Sequence, residues 1–415
     1  MLSQKTIEII KSTVPVLEVH GTAITKRFYQ MMFAKHPELL HIFNHANQKQ
    51  GRQQTALANA VYAAALYIDK LETILPVVKQ IGHKHRSLGV KAEHYPIVGE
   101  NLLAAIKDVL GDAATDEILQ AWAEAYGVIA DAFIGVEHEM YEEASGQPGG
   151  WEDFREFIVQ RKVKESDVIT SFYLVPADGQ PISSYEPGQY VSIKVELPGE
   201  QFTHIRQYSL SDAPGNEYSL SDAPGNAYYR ITVKREDAMQ DKPAGKVSVY
   251  LSEEVKEGDS LQLSAPAGDF ILQQKESRPV VLLSGGVGLT PMISMLNTLI
   301  KSGTDRPITF IHAAKNGNVH AMKQAVEELA AKHPQLSVHW CYTQPTEQDR
   351  LNGAFQKEGY IDLPWLQKVI DTKEASYYFC GPIPFMKTIN GALLEWGVPA
   401  EDIHFEFFGP AATLA

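Results

Sequence analysis

The chain has 415 residues, of which 37 are Lys or Arg and 51 are Asp or Glu, giving a net charge of −14 with 44% hydrophobic residues. That length implies two to four domains, at roughly 100–200 residues each, and the acidic balance excludes a nucleic-acid backbone as the main partner. Two cysteines, Cys341 and Cys380, exclude a disulfide scaffold and a Cys-rich metal centre; no apolar run reaches the ~18 residues of a membrane span, and the charges in Ile7-Glu8-Ile9-Ile10-Lys11 spoil a signal-peptide core.

From residue 1 to about 143 the pattern is helical. Ile7, Ile10, Val14 and Leu17 recur at helix spacing, Thr55 to Leu66 is rich in alanine, and Pro15, Pro37, Pro76 and Pro96 punctuate the region into several helices. The turn formers of Ala144-Ser145-Gly146-Gln147-Pro148-Gly149-Gly150 then predict a linker over 144–150. Between 151 and 269 short β-branched or alternating runs, such as Tyr190 to Val195 and Tyr229 to Val233, predict a small antiparallel barrel. From 270 to 415 buried-type strands (Pro279 to Leu283, Ile308 to His312, Ser337 to Tyr342, Tyr377 to Cys380) alternate with helical stretches at Pro291 to Lys301 and Val319 to Lys332. That alternation predicts a parallel sheet wrapped by helices. The whole is therefore expected to be an all-α domain, an antiparallel β-barrel and an α/β parallel-sheet domain.

Within the barrel region nine residues repeat without change: Tyr208 to Asn216 recur as Tyr218 to Asn226. Two copies are too few for a solenoid. The Asp-Ala-Pro-Gly-Asn ending is turn chemistry, so a surface hairpin loop is the expected home of the extra copy.

Three sets of residues carry chemistry. Gly285, Gly286, Gly288, Thr290 and Pro291 follow a strand and open a helix, where glycines let backbone N–H groups approach a pyrophosphate; a purely structural turn is the competing reading. Cys380-Gly381-Pro382 follows a later strand and so should share that sheet edge. In the barrel, Arg206-Gln207-Tyr208-Ser209 could offer a phosphate a cation and a flat ring an aromatic partner, and Gly245 with Ser248 forms a further glycine turn. Of the eight histidines before residue 140, His85 stands about thirty residues after Gln53, a spacing that would set one helix on each side of a flat cofactor; with no cysteine or carboxylate cluster, a haem with one axial imidazole is the sensible metal site.

The order Arg-x-Tyr-Ser, Gly-x-x-Ser, Gly-Gly-x-Gly-x-Thr-Pro, Cys-Gly-Pro resembles the ferredoxin-reductase-like FAD/NAD(P) module. Preceded by a helical domain of globin length with Phe28-Tyr29, Ile42-Phe43-Asn44, Gln53 and Lys84-His85, the whole chain resembles the flavohaemoglobin family of nitric oxide dioxygenases. The resemblance implies one haem b, one FAD and NADH or NADPH as electron donor. It makes His85 the iron ligand and Tyr29 and Gln53 the groups that polarise dioxygen. Phe43 and Leu57 would line the haem pocket, with Lys84 at the haem edge. Tyr95 and Glu137 would stand behind the ligand histidine. Tyr190, Arg206, Gln207, Tyr208, Ser209, Gly245 and Ser248 match FAD positions, and Glu406 and Phe408 match the family's tail, Phe405 to Pro410. Two departures stand out: the repeat supplies a second Tyr218-Ser219 without its arginine, and Ala244-Gly245 stands where a glycine pair is common.

The implied reaction passes hydride from NAD(P)H to FAD, then single electrons to haem, where dioxygen converts nitric oxide to nitrate. Rival readings are an oxygen or nitric oxide sensor or carrier whose reductase keeps iron ferrous, and a flavin reductase for external acceptors. A cytoplasmic monomer is expected, with nitric oxide, dioxygen and NAD(P)H as its small-molecule partners, no nucleic acid and no stable membrane insertion.

Overall fold

The computed structural model describes residues 2–215, 217–218, 226–239 and 242–409, so Asn216, Ser219 and Pro410 lie outside it and only the backbone of Tyr218 is described. Contacts divide the chain into two units, one of residues up to Arg155 with Ser192–Arg206, the other of Glu156–Val191 with Gln207–Phe408.

The first unit holds α1 (Gln4–Ser12), α2 (Val14–Lys35), α3 (His45–Lys49), α4 (Arg52–Leu66), α5 (Leu75–Leu88), α6 (His94–Leu110) and α7 (Asp116–Gly146). Each predicted proline break holds: Pro15, Pro37, Pro76 and Pro96 all lie in the first turn of an element, where no intrahelical N–H is needed. Thr115 caps α7 by accepting from Ile118 N at 3.3 Å, and Asp116 and Glu117 complement the dipole there. Helix α7 runs through Gly146, so the break predicted from Ala144 begins at Gln147; the Ser145 hydroxyl satisfies Tyr141 O at 2.8 Å and lets the last turn continue. Ile10, Ile24, Phe28, Met32, Leu102, Ile106 and Trp122 form the core. Gly99 lets α6 press on α7, since a Cβ there would meet the Tyr126 ring at 2.5 Å.

Strands β1 (Phe154–Lys164), β2 (Ile169–Pro176), β3 (Tyr190–Val195), β4 (His204–Ser209), β5 (Glu217–Tyr218), β6 (Asn226–Ala227), β7 (Tyr229–Lys234) and β8 (Ser260–Ser264) follow, with helix α8 (Lys246–Glu253) before β8. Six of them form one sheet in the order β4-β3-β8-β1-β2-β7, while β5 and β6 pair only with each other. Leu210, just past β4, bridges Ile231 of β7. The two edges thereby meet and the sheet closes into the expected barrel around Phe157, Phe172, Val191, Tyr229 and Ile231.

The last region alternates β9 (Val280–Gly285), α9 (Leu289–Lys301), β10 (Ile308–Ala314), α10 (Lys323–Lys332), β11 (Leu336–Tyr342), α11 (Glu347–Leu351), β12 (Lys357–Glu358), α12 (Leu363–Val369), β13 (Ser376–Cys380), α13 (Ile383–Trp396) and β14 (Ile403–Glu406). The sheet is parallel in the order β12-β11-β10-β9-β13-β14, and β9 and β13 are buried throughout, as strands covered on both faces must be. Connections step outward from β9 to β12 and then reverse at β13, which makes the β9–β13 boundary the topological switch point. The helix expected from Val319 starts only at Lys323, because Ala321 and a left-handed Met322 (φ 58°) turn the chain first.

Candidate functional site

In the helical unit α5, α6 and α7 bring three predicted side chains together. His85 Nδ1 lies 2.7 Å from Glu137 Oε1, the Tyr95 hydroxyl donates to the same oxygen at 2.6 Å, and that hydroxyl is 3.3 Å from His85 Nδ1. Glu137 is buried, 3% exposed, so its charge is compensated by these donors. Burial, reinforced by Glu137, pushes the Tyr95 phenol far above its ordinary range and keeps it a donor. A carboxylate on Nδ1 fixes the imidazole proton there and leaves the Nε2 lone pair for a metal. Among the described residues no group of three or more His, Cys, Asp or Glu could hold a metal ion by itself; a lone oriented imidazole suits iron already held by a macrocycle. Phe133 packs beside both rings, at 6.0 Å from His85 and 6.3 Å from Tyr95. Lys84 precedes His85 on α5 and is partly buried.

Tyr29 is buried on α2, with Phe33 and Phe43 ring centroids each 5.7 Å away, and Leu57 packs against the same core. Burial raises the Tyr29 phenol above its usual value, against a smaller opposing effect of Gln48. The Gln53 amide oxygen, on the first turn of α4, is buried without a protein partner. A polar group so placed fits a pocket that takes a polar ligand. Tyr29 and Gln53 are not hydrogen-bonded to each other. Sequence reasoning missed Gln48, which accepts from Gln54 Nε2 at 2.8 Å; no motif marks it, because it is brought to Tyr29 by the α3–α4 corner.

In the barrel, β4 carries Arg206, Gln207, Tyr208 and Ser209 in one extended run. Alternation puts Arg206 and Tyr208 on one face. Arg206 Nη1 donates to Ile205 O at 2.7 Å. Ser209, 4% exposed, has a hydroxyl with no protein partner, a vacancy in hydrogen bonding that the polar edge of a flavin ring fits. Tyr190 opens β3 and exchanges backbone hydrogen bonds with Ala267, both 2.9 Å. Gly245 caps α8, and the Ser248 hydroxyl donates to Gly245 O at 3.0 Å and accepts from Glu236 N at 3.2 Å. The serine thus shapes the turn, and the helix N-terminus it shapes is the anion-favouring group.

The first copy of the repeat is the one in the barrel wall. Its Asp212 pairs with Arg230 (3.4 Å) and accepts from Tyr228 OH (2.7 Å) and Asn297 Nδ2 (2.8 Å), and Ser294 Oγ donates to Asp212 O (2.7 Å). This anchor ties the strand to α9. The second copy begins and ends on the separate β5–β6 hairpin. Deleting Glu217 to Asn226 should therefore leave bound flavin at unchanged stoichiometry. The shorter loop should stabilise the barrel by about 1 kcal/mol, read as a higher urea midpoint for flavin release. Loss of flavin would show that the second copy is the functional one.

At the parallel sheet's carboxyl edge the two glycine motifs touch, as expected. A Cβ on Gly288 would lie 2.2 Å from Cys380 O, and one on Gly381 would lie 3.2 Å from Gly285 Cα. Gly286 takes φ +55°. Thr290 Oγ1 donates to Val287 O at 3.1 Å, and Pro291 lies in the first turn of α9. Pro382 caps α13. Cys380 is fully buried, which pushes its thiol far above the usual range and leaves it a neutral thiol. It pairs in register with Ser284 on one side and Glu406 on the other. Phe408, just beyond, is 47% exposed.

Beneath this edge lies a polar layer that sequence reasoning did not single out. Ser284 Oγ is 2.8 Å from His312 Nδ1, His320 Nδ1 is 2.8 Å from Tyr342 OH, and the two imidazoles pack tilted with centroids 4.5 Å apart. Burial drives the His312 pKa down to about 3 and lowers His320 as well, so both are neutral. Hydrogen-bonded and uncharged, the layer supports the glycine turn without placing a cation under it.

Residues 26–133 match the globin family model and residues 282–391 the oxidoreductase NAD-binding domain model. The chain is 62% identical over 414 residues to the flavohemoprotein of Bacillus thuringiensis subsp. konkukian (strain 97-27), covering 100% of both chains. It is 54% identical over 415 residues to the flavohemoprotein of Bacillus subtilis (strain 168), covering 100% of this chain and 99% of that one. Among solved structures it resembles flavohemoglobin from Malassezia yamatoensis with bound FAD and heme (TM-score 0.84, 27% identity, 98% of this chain and 100% of that). It also resembles the flavohem-like FAD/NAD binding domain of nitric oxide dioxygenase from Vibrio cholerae O1 biovar El Tor (TM-score 0.54, 40% identity, 62% of this chain and 100% of that).

Proposed function

The chain belongs to the flavohemoprotein family, and from that membership we propose that it is a nitric oxide dioxygenase, binding one haem, one FAD and NAD(P)H and turning nitric oxide and dioxygen into nitrate. The observation that carries the reading is the His85–Glu137–Tyr95 triad. A carboxylate behind the ligand imidazole makes it a stronger electron donor, which a reversible carrier does not need and an oxygen-activating site does. When bound, the haem supplies a redox-active iron that takes dioxygen, and the flavin converts two-electron input to single electrons. The protein's own part is positional. Tyr29 keeps its hydroxyl proton and can donate it to a bound ligand, with Gln53 as the second polar group. Arg206 and the α8 N-terminus suit the flavin's phosphates, Ser209 and Tyr208 its ring, and the Gly285–Gly288 and Cys380–Pro382 turns the nicotinamide nucleotide. A monomeric, cytoplasmic enzyme serving nitric oxide detoxification goes with this reading. No helix of the described residues is long and apolar enough to cross a membrane.

Supplying NADH, dioxygen and nitric oxide tests it. Two nitrates should form per NADH consumed, since each nitrate takes one electron; haem reduction without turnover would favour a sensor, and NADH oxidation indifferent to haem ligands a reductase. Tyr29→Phe should slow nitric oxide consumption about 10- to 100-fold, the worth of one hydrogen bond to a charged ligand. An unchanged rate would remove Tyr29 from the reaction.

A further inference from the structure

Ser294, Asn297 and Lys301 recur three and four positions apart on α9, which puts them on one face of that helix. All three close on the segment that leaves β4. Ser294 Oγ donates to Asp212 O at 2.7 Å, Asn297 Nδ2 donates to Asp212 Oδ1 at 2.8 Å, and Lys301 Nζ reaches the carbonyls of Pro214 and Gly215 at 3.1 and 3.0 Å. Asp212 is buried, and each of its oxygens has a further partner within the barrel. Oδ1 accepts from Ala213 N at 2.9 Å, Oδ2 accepts from Tyr228 OH and pairs with Arg230, and the main-chain oxygen accepts from Tyr185 OH at 2.6 Å. A buried polar network with every member satisfied specifies one arrangement of the elements it joins.

The elements joined here are the ones that carry the two cofactor motifs. Tyr208 and Ser209, matched to the flavin ring, stand just before Asp212, and Gly288, in the nucleotide turn, opens the helix that carries Ser294. Both lead-ins are stiff: Leu210 N donates to Gln189 O at 2.9 Å and Ser211 N to Arg230 O at 2.8 Å, while Gly288 is pressed against the Cys380–Gly381 backbone. Hydride transfer needs its two reacting atoms roughly 3–3.5 Å apart, and a misplacement of about 1 Å costs about 100-fold in rate. With the two cofactors seated on different elements, their alignment depends on whatever fixes β4 against α9.

We infer that Asp212 is a positioning residue for hydride transfer: through Ser294 and Asn297 it sets the flavin strand against the nucleotide helix while holding neither cofactor itself. The inference rests on the flavin and nicotinamide sites proposed above. Replacing Asp212 would strand the nearly buried Arg230, so the tie is better cut from the helix side. Ser294→Ala combined with Asn297→Ala leaves the Asp212–Arg230 pair whole. In the full-length holoprotein, rapid mixing with NADH should show the limiting rate of flavin reduction falling about 10- to 100-fold. Flavin occupancy and the NADH concentration giving half that rate should stay within about twofold, the split expected when geometry is lost and binding is kept. The long-wavelength absorbance that NAD+ gives with the reduced flavin should weaken, and amide exchange over residues 210–215 should rise. Asn297→Ala alone, a milder change at a partly exposed position, should lie between the two. An unchanged limiting rate in both variants overturns the inference, and so does a fall that comes with flavin release or weakened NADH binding, which would make the network a support of one site only. If NADH fails to reduce the flavin of the unaltered protein, the reductase reading falls and the inference falls with it.

Discussion

Replacing His85 with alanine should yield protein that retains flavin and loses haem, with nitric oxide consumption at background. Glu137→Gln should keep haem yet slow turnover about 10- to 100-fold, the usual effect of removing the group behind a metal-bound histidine. The two variants separate ligation from tuning. Glutamine preserves the shape of the buried site and can still accept from His85 Nδ1 and Tyr95 at their present 2.7 Å and 2.6 Å, but it removes the negative charge. The iron–histidine stretching frequency, read by resonance Raman on the reduced protein, should fall in Glu137→Gln. Glu137→Leu should in addition cost stability, because the buried Tyr95 hydroxyl then lacks an acceptor, at about 1–3 kcal/mol, with a smaller loss at the partly exposed His85. A Glu137→Gln protein with unaltered frequency and turnover would make the triad a packing feature only.

Gly288→Ala should disable the nucleotide edge. A methyl at this position meets the Cys380–Gly381 peptide group, Cys380 O at 2.2 Å and Gly381 N at 2.7 Å, which cannot rotate away as a side chain could. Overpacking of a side-chain contact costs 1–3 kcal/mol; here a strand end must move, and a loss of about 3 kcal/mol or more is expected. Trp340, Trp365 and Trp396 all lie in this α/β region, so their fluorescence reports its unfolding midpoint, and flavin reduction by NADH should be lost in parallel. Gly286→Ala is the comparison. With φ +55° and nothing within 4 Å of its Cβ, it should cost only the left-handed penalty, about 1 kcal/mol. Equal losses in both variants would mean that backbone conformation, not close approach, is what glycine provides here.

Much of this architecture was legible because its signals are local. Helical spacing, proline breaks and the alternation of strand and helix each live within a window of about fifteen residues, and so do the two glycine motifs. Their meeting followed from topology, since strands of one parallel sheet present their carboxyl ends to one edge. What escaped were pairings across distance. Asn297 reaches Asp212 over 85 residues and Ser284 reaches His312 over 28, and neither pairing has a sequence signature, because it depends on which strand lies next to which. The Ser248 hydroxyl shows a subtler limit: its spacing from Gly245 was readable, but its use within the turn depends on Glu236, which arrives from β7's far end. The repeat posed a choice between two identical strings, and the answer came from their neighbours.

That choice has a kinetic side. During folding the barrel wall has one slot and the chain offers it two strands of the same composition, ten residues apart. In the shifted alignment Pro214, Gly215 and Asn216 would fall where His204, Ile205 and Arg206 now stand, so a ladder donor and the cation would be missing, and the native alignment wins at equilibrium. Hydrophobic collapse does not make that distinction quickly, since Tyr218 and Leu220 are as good a fit as Tyr208 and Leu210. The expected result is a slow refolding phase from chains that first pair in the shifted alignment, read by stopped-flow fluorescence against the deletion variant. The deletion of Glu217 to Asn226 removes the competitor together with the loop.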